Sequence, residues 1–302
     1  MAGHGFRLAV RPRFRIADPL MGVEERITVA IGFGEAGHAF LEGLPGDVRA
    51  WDKAEPVRAA GHDHIRLPYD PREALAGAPL ILSLVTAAEA LNAARTAAPL
   101  LAPGALFCDM NSVAPGTKRQ AAVAVEAGGG RYVDVAVMSP VNPSGRNAPL
   151  LVAGPHAEAG AEALRARGFT RVRVVGAKVG DASSIKMIRS VMVKGMEALS
   201  AECALAAARA GVLDEVTASL DASWREEGWA QRFDYNLDRM LVHGLRRAEE
   251  MEEVVKTLDA LGTGSDMTRG TVIRQRALGQ ARRSPEGLNA KIETILQPEA
   301  AE

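Results

Sequence analysis

Up to about residue 175, short apolar runs alternate with stretches whose apolar residues recur at helical spacing. The runs Ile27–Gly32, Val48–Trp51, Leu80–Val85, Ala105–Cys108, Tyr132–Val137, Leu150–Ala153 and Val172–Val175 predict strands. Few polar residues interrupt them, as expected of strands covered on both faces. Between them, Glu35–Leu44, Ala87–Ala97, Gly116–Ala127 and Ala157–Arg167 predict helices. This alternation builds a mostly parallel sheet wound by helices. Pro103-Gly104, Pro115-Gly116 and Gly128–Gly130 fall between elements, where the chain must turn.

From about Gly180 the pattern changes, and strand-like runs give way to helix formers. The stretch "SSIKMIRSVMVKGMEALSAECALAAARAG" (183–211) is apolar around most of its circumference, which predicts a long helix buried on several sides. Further helices are expected near 213–221, 230–243, 245–261 and 267–281, with Gly244 and Gly262 as breaks. The fold class is therefore an α/β N-terminal domain followed by an all-α C-terminal domain.

Composition narrows the partners. At 302 residues the chain has room for two domains, and 47% apolar with 24% charged residues is the balance of a globular protein. A formal net charge of −1, without long runs of like charge, argues against nucleic acid or a membrane surface as main partner. A small carboxylate needs only one or two local cations and stays compatible. Cys108 and Cys203 lie in no CxxC or Cys/His cluster, so no metal site or disulfide framework is expected, and a reducing, cytoplasmic setting fits. No apolar run reaches the length of a membrane span. The Arg-rich opening "MAGHGFRLAVRPRFRIADPL" is interrupted by Pro12 and poorly periodic. It reads as a flexible extension over 1–24, not a targeting helix, with Met21 as an alternative start.

The stretch "ITVAIGFGEAGHAFLEGL" (27–44) carries Gly32, Gly34 and Gly37 directly after the first strand run. Glycine loses the most backbone freedom on folding, so three in a strand-to-helix turn need a reason. Dinucleotide binding supplies one. Gly32 makes the tight turn, Gly34 lets a pyrophosphate approach the backbone, and Gly37 lets helix and strand pack closely. The helix N-terminus adds free N–H groups and partial positive charge. Asp52 ends the second strand run twenty residues after Gly32, where an acid accepts hydrogen bonds from the adenosine ribose. A carboxylate there favours NAD over NADP, although Lys53 and Arg58 are close enough in sequence to offset it. The domains expected are thus a dinucleotide-binding Rossmann-type domain over 25–178 and an all-helical domain over 179–302, entered by one long helix.

Three later segments resemble the β-hydroxyacid dehydrogenase family, which includes 3-hydroxyisobutyrate and 6-phosphogluconate dehydrogenases. "CDMNSVAP" (108–115) is similar to its D-x-S-T-x-x-P segment, with Asn111 at the Ser place and Ser112 at the Thr place near the nicotinamide ribose. "VDVAVMSPV" (133–141) is similar to D-A-P-V-S-G-G; Asp134 matches, and the family Ser falls on Met138, with Ser139 one place later. "GAKVGDASSIKMIRS" (176–190) resembles G-x-G-x-x-x-K-x-x-x-N: Gly180 and Lys186 match, Ala182 replaces the second glycine and Ser190 the asparagine. The tail "HGLRRAEEMEEVVKTLDALG" (243–262) looks like the C-terminal domain of a phosphogluconate-dehydrogenase-like branch.

The resemblance implies a cofactor site of Gly32, Phe33, Gly34, Glu35, Ala36, Gly37, Asp52, Val85, Thr86 and Ser112. It implies Lys186 as catalytic lysine, with Met138, Ser139 and Ser190 facing substrate. Oxidising an alcohol moves a hydride to nicotinamide while a base takes the hydroxyl proton. Lys186, near the start of an apolar helix, suits that base because desolvation favours the neutral amine; a lysine that snorkels its charge into water is the plainer reading of the same pattern. Ser190, one turn on, donates one hydrogen bond where the family amide donates two. Arg246 and Arg247 are candidates for a carboxylate clamp, or ordinary surface arginines. The expectation is an NAD(P)-dependent oxidoreductase acting on a small 3-hydroxy acid or its keto or aldehyde form, working as a homodimer. Imine reduction, decarboxylating oxidation of a sugar acid, and non-catalytic dinucleotide sensing are the rival readings.

Overall fold

The computed structural model describes residues 27–54, 64–223 and 228–296. The expected N-terminal extension and Arg58 lie outside them. The chain divides into two compact units, Met1–Arg189 and Ser190–Glu302.

In the first unit, all seven expected strands form: β1 (Thr28–Ile31), β2 (Val48–Trp51), β3 (Leu80–Ser83), β4 (Leu106–Asp109), β5 (Arg131–Val137), β6 (Leu150–Ala153) and β7 (Val172–Gly176). They make one sheet in the order β2-β1-β3-β4-β5-β6-β7. Pairing is parallel except between β5 and β6. Helices α1 (Glu35–Leu41), α2 (Pro71–Leu75), α3 (Ala90–Ala97), α4 (Pro115–Ala127) and α5 (Ala157–Ala166) connect them. Alternate strand residues serve opposite cores. Ala30, Ala50, Leu82 and Val135 pack on one face with Phe40, Leu41 and Leu164. Val29, Ile31, Ile81 and Phe107 pack on the other with Ala94, Ala97, Ala121 and Val125. Both faces are buried, which is why the strands read as continuous apolar runs. β1 lies between β2 and β3, so the strand order reverses beside it. A crevice opens at such a point, at the carboxyl ends of the strands.

Helix α6 (Asp181–Ala210) begins in the first unit and continues into the second, where α7 (Leu213–Ser223), α8 (Trp229–Leu261), α9 (Asp266–Gly279) and α10 (Leu288–Leu296) follow. Glu202 on α6 accepts the N–H groups of Met267 and Thr268 at 2.9 and 3.0 Å, satisfying the open first turn of α9. Lys291 on α10 pairs with Asp234 on α8 at 2.8 Å. Among the described residues, no helix is long and apolar enough to cross a membrane.

Two expectations need correction. Gly244 does not break a helix, since α8 runs through it. A Cβ there would lie 2.3 Å from Gln275 O, so the glycine lets the backbones of α8 and α9 approach. The long helix is also less covered than its composition predicts. Ile188 is 71% exposed, and Val193, Met196, Leu199 and Leu205 are exposed too, because the helices of one chain cover only part of its circumference.

Candidate functional site

The crevice at the β1–β3 boundary is built by the glycine turn. Gly32 takes φ +91°, a left-handed conformation, and a Cβ there would meet Leu84 O at 2.5 Å. Its N–H donates to Trp51 O at 2.8 Å, and Leu84 N–H donates to Ile31 O at 2.7 Å, so β2 and β3 clamp the turn from both sides. Gly37 packs against the turn, its Cβ direction ending 2.7 Å from Gly32 O. Gly34 differs: it is the N-cap of α1, and among the described residues, its two chain neighbours aside, no atom lies within 4 Å of a Cβ placed on it. The backbone is therefore bare on the side where a phosphate would approach.

Asp52 closes the turn from the end of β2. Phe33 N–H donates to Asp52 Oδ2 and Ala54 N–H to Oδ1, both at 2.8 Å. A carboxylate accepts through both oxygens, and here each of them takes a backbone N–H of the turn. The Phe33 side chain is buried and stacks on His38 with ring centroids 4.0 Å apart. Phe33 thus supports the turn from beneath. Glu35 and Ala36 open α1, and Glu35 Oε1 accepts from Asn142 Nδ2 at 2.9 Å, joining the loop after β5 to the glycine turn. The crevice has a volume of about 220 Å³ and is lined by Gly32, Gly34, Asp52, Val85 and Thr86, among others. Lys53 and Glu89 also line it and form an ion pair of 2.8 Å.

The segment after β4 is held by a buried polar cluster. Asn111 Nδ2 donates to Ser83 Oγ at 2.9 Å and Asp109 Oδ1 at 2.8 Å, and its Oδ1 accepts Val85 N–H at 2.7 Å. Asp109 also accepts from Tyr132 Oη at 2.6 Å and from Lys118 Nζ at 3.0 Å. Lys118 is wholly buried and lies 3.6 Å from Asp134 Oδ1. The other Asp134 oxygen accepts Gly180 N–H at 3.0 Å, Ser183 N–H at 3.2 Å and Ser183 Oγ at 3.1 Å, at the start of α6. Burial and the neighbouring Asp109 carboxylate push the Tyr132 phenol well above its ordinary value, so it stays a donor. Burial likewise raises the Cys108 thiol to about 12.

These two supports bring Lys186 and Ser112 together. Lys186 lies on the first turns of α6, which Asp134 anchors; Ser112 follows Asn111, which Asp109 anchors. Lys186 Nζ donates to Ser112 Oγ at 2.5 Å. An ammonium held this way presents its remaining N–H groups in a fixed direction. Ser139 is half-buried, and its hydroxyl donates to Pro140 O at 3.1 Å. Met138 packs against the small cluster of Ala136, Leu151, Ala153 and Ala182. Ser190 is the first residue of the second unit, which also contains Arg246 and Arg247 on α8.

Sequence reasoning missed the Lys118–Asp109–Asp134 cluster and the Lys53–Glu89 pair. The available signal was two acids, Asp109 and Asp134, standing alone in apolar strand runs; such acids are buried only when partnered.

Residues 30–166 match the family described as the NAD binding domain of 6-phosphogluconate dehydrogenase, and residues 207–278 match a domain of unknown function, DUF1932. A conserved hypothetical protein from Sinorhizobium meliloti 1021 is 33% identical, covering 90% of this chain and 96% of its own, with a TM-score of 0.55. A conserved protein of unknown function, reported as structurally similar to 3-hydroxyacid dehydrogenases, is 26% identical. That match covers 85% of this chain and 98% of its own, with a TM-score of 0.53. An imine reductase from Myxococcus stipitatus, solved with NADP+, shares the fold at 17% identity and a TM-score of 0.67, over 89% of this chain and 99% of its own.

Proposed function

The chain belongs to the β-hydroxyacid dehydrogenase family, in the branch that joins an NAD-binding domain of the 6-phosphogluconate dehydrogenase type to a DUF1932 domain; on that premise we propose that it is a nicotinamide-dependent oxidoreductase of small hydroxy acids or their carbonyl forms, with Lys186 as proton carrier. The observation that carries this reading is the 2.5 Å bond from Lys186 to Ser112. The two residues come from separate segments, each singled out by its own motif, and the fold sets them side by side.

The residues present fit the cofactor. Gly32 and Gly37 shape the turn, and Gly34 leaves open space at the N-terminus of α1 for the pyrophosphate. Asp52, at the end of the second strand, is assigned to the adenosine ribose hydroxyls, which favours NAD. Val85 and Thr86 form the opposite wall. Phe33, Glu35 and Ala36 contribute through the turn backbone, and Ser112 lies toward the nicotinamide end. When bound, the nicotinamide supplies the site that accepts or gives a hydride.

The rest is done by side chains. In oxidation, neutral Lys186 Nζ takes the hydroxyl proton as the C–H bond gives up its hydride; in reduction, the ammonium returns that proton to the forming alkoxide. Ser112 Oγ accepts from Nζ and fixes its direction. Met138, Ser139 and Ser190 are assigned to substrate contact. The same proton carrier serves reduction of C=N, so the test covers both classes. A panel of 3-hydroxy acids and cyclic imines is assayed with NAD(H) and NADP(H) by the reduced-nicotinamide absorbance band. Turnover of a hydroxy acid supports the reading, turnover of imines alone replaces it with imine reduction, and tight dinucleotide binding without any turnover replaces it with a sensor.

A homodimer belongs to the same proposal. It is supported by the large apolar side chains left exposed on one chain, among them Ile188, Leu199, Leu205 and Leu220.

A further inference from the structure

The Lys53–Glu89 pair stands at the adenosine end of the crevice, and its stability value does not explain it. Lys53 follows Asp52 off the end of β2, while Glu89 closes the 3₁₀ turn Ala87–Glu89 on the wall after β3. Their side chains are 66% and 34% exposed, and exposed pairs of this kind add little to folding. The Glu89 end of the pair has a second partner. Asn92 Nδ2 donates to the second Glu89 oxygen at 3.5 Å. The Lys53 contact, with help from Asn92, holds the Glu89 carboxyl below its ordinary range, so it is ionised at neutral pH.

The position of the pair gives it consequence. Among the described residues that line this crevice, Lys53 is the only cation, and Asp52 and Glu89 are the only acids. In dinucleotide sites an acid at the end of the second strand reads the ribose 2′-hydroxyl, and a nearby cation is what accommodates a 2′-phosphate. Asp52 and Lys53 are adjacent candidates for these two opposed tasks. With Glu89 ionised, the three side chains sum to −1, and a 2′-phosphate bringing about −1.5 to −2 meets net repulsion. Without the Glu89 charge these three side chains sum to zero, and the repulsion felt by an incoming phosphate falls.

We propose that Glu89 is a specificity-determining residue for the cofactor: by engaging Lys53 across the crevice it withholds from a 2′-phosphate the cation that would accept it, and so keeps the site selective for NAD. This rests on the dinucleotide reading above and adds a residue from a different wall of the crevice to the choice made by Asp52.

The test is calorimetric titration of the full chain with NAD and with NADP, which needs no substrate. Wild type binds NAD more tightly than NADP. Glu89→Gln tightens NADP by about tenfold and moves NAD by no more than about twofold, and the gain shrinks as salt is raised because it is Coulombic. Adding Lys53→Met to Glu89→Gln removes the gain. Three results overturn the proposal: NADP affinity unchanged in Glu89→Gln, a gain that survives loss of Lys53, or a wild type that already prefers NADP. NAD binding throughout keeps the dinucleotide reading intact in each of these cases, whereas a wild type that binds neither nucleotide sinks both.

Discussion

Gly34 and Gly32 look alike in the sequence, and the structure gives them different work. Gly32 needs its left-handed backbone and has Leu84 O within 2.5 Å of any Cβ, so its role is to make the turn. Gly34 has an ordinary φ of −87° and open space around it, so the fold itself does not require a glycine there. Gly34→Val is therefore expected to fold with a wild-type melting temperature and to lose calorimetric binding of both NAD and NADP. Wild-type affinity in the folded variant would remove the pyrophosphate from this turn. The glycine spacing and Asp52 were legible because they lie within one local segment. That Asp52 also braces the turn through Phe33 N–H was not, since this bond joins residues nineteen apart and depends on the strand register.

At the scale of elements, the seven strands could be read because burial on both faces writes an unbroken apolar run. Short α2 was missed although its start is marked, with Pro71 in its first turn and Asp70 accepting Arg72 N–H at 2.8 Å. Gly244 was misread because a glycine required by helix crossing carries the same letter as one that ends a helix. Lys118 could not be found at all: its neighbours in "PGTKRQ" read as a solvated helical face, and its partners lie on β4 and β5. Its single ammonium bridges the carboxylate that anchors the Ser112 segment and the one that anchors the first turn of α6. Removing it leaves two buried carboxylates without a counter-charge, a change that costs about 3–5 kcal/mol when a buried pair is broken. Lys118→Met should lower the free energy of unfolding in urea by that amount. A loss under about 1 kcal/mol, in the range of exposed pairs, would show that the cluster is solvated in solution.

For the whole molecule, the alternation of strands and helices followed by helices alone made the two-part architecture readable, and the motif order tied it to a family. Quaternary structure leaves a fainter trace. An apolar circumference predicted burial for α6, and one chain leaves Ile188, Leu199 and Leu205 exposed. Light scattering coupled to size exclusion is expected to give twice the chain mass at micromolar concentration, and Leu199→Glu with Leu205→Glu to give monomers; a monomeric wild type would oppose the dimer. Substrate identity is the least readable property, because the positions assigned to substrate, Met138, Ser139 and Ser190, are those where the chain departs from the family pattern. Lys186 does not depart from it, and the reading as an oxidoreductase depends on it. Lys186→Met keeps the apolar stem and the glycine turn while removing the proposed proton carrier. The decisive measurement is steady-state turnover of this variant on the best substrate of the panel, alongside its affinity for NAD. Turnover is predicted to fall by about 10²–10⁴, the usual size of general acid–base catalysis, with NAD affinity unchanged; wild-type turnover in a variant that still binds NAD would contradict the role of Lys186.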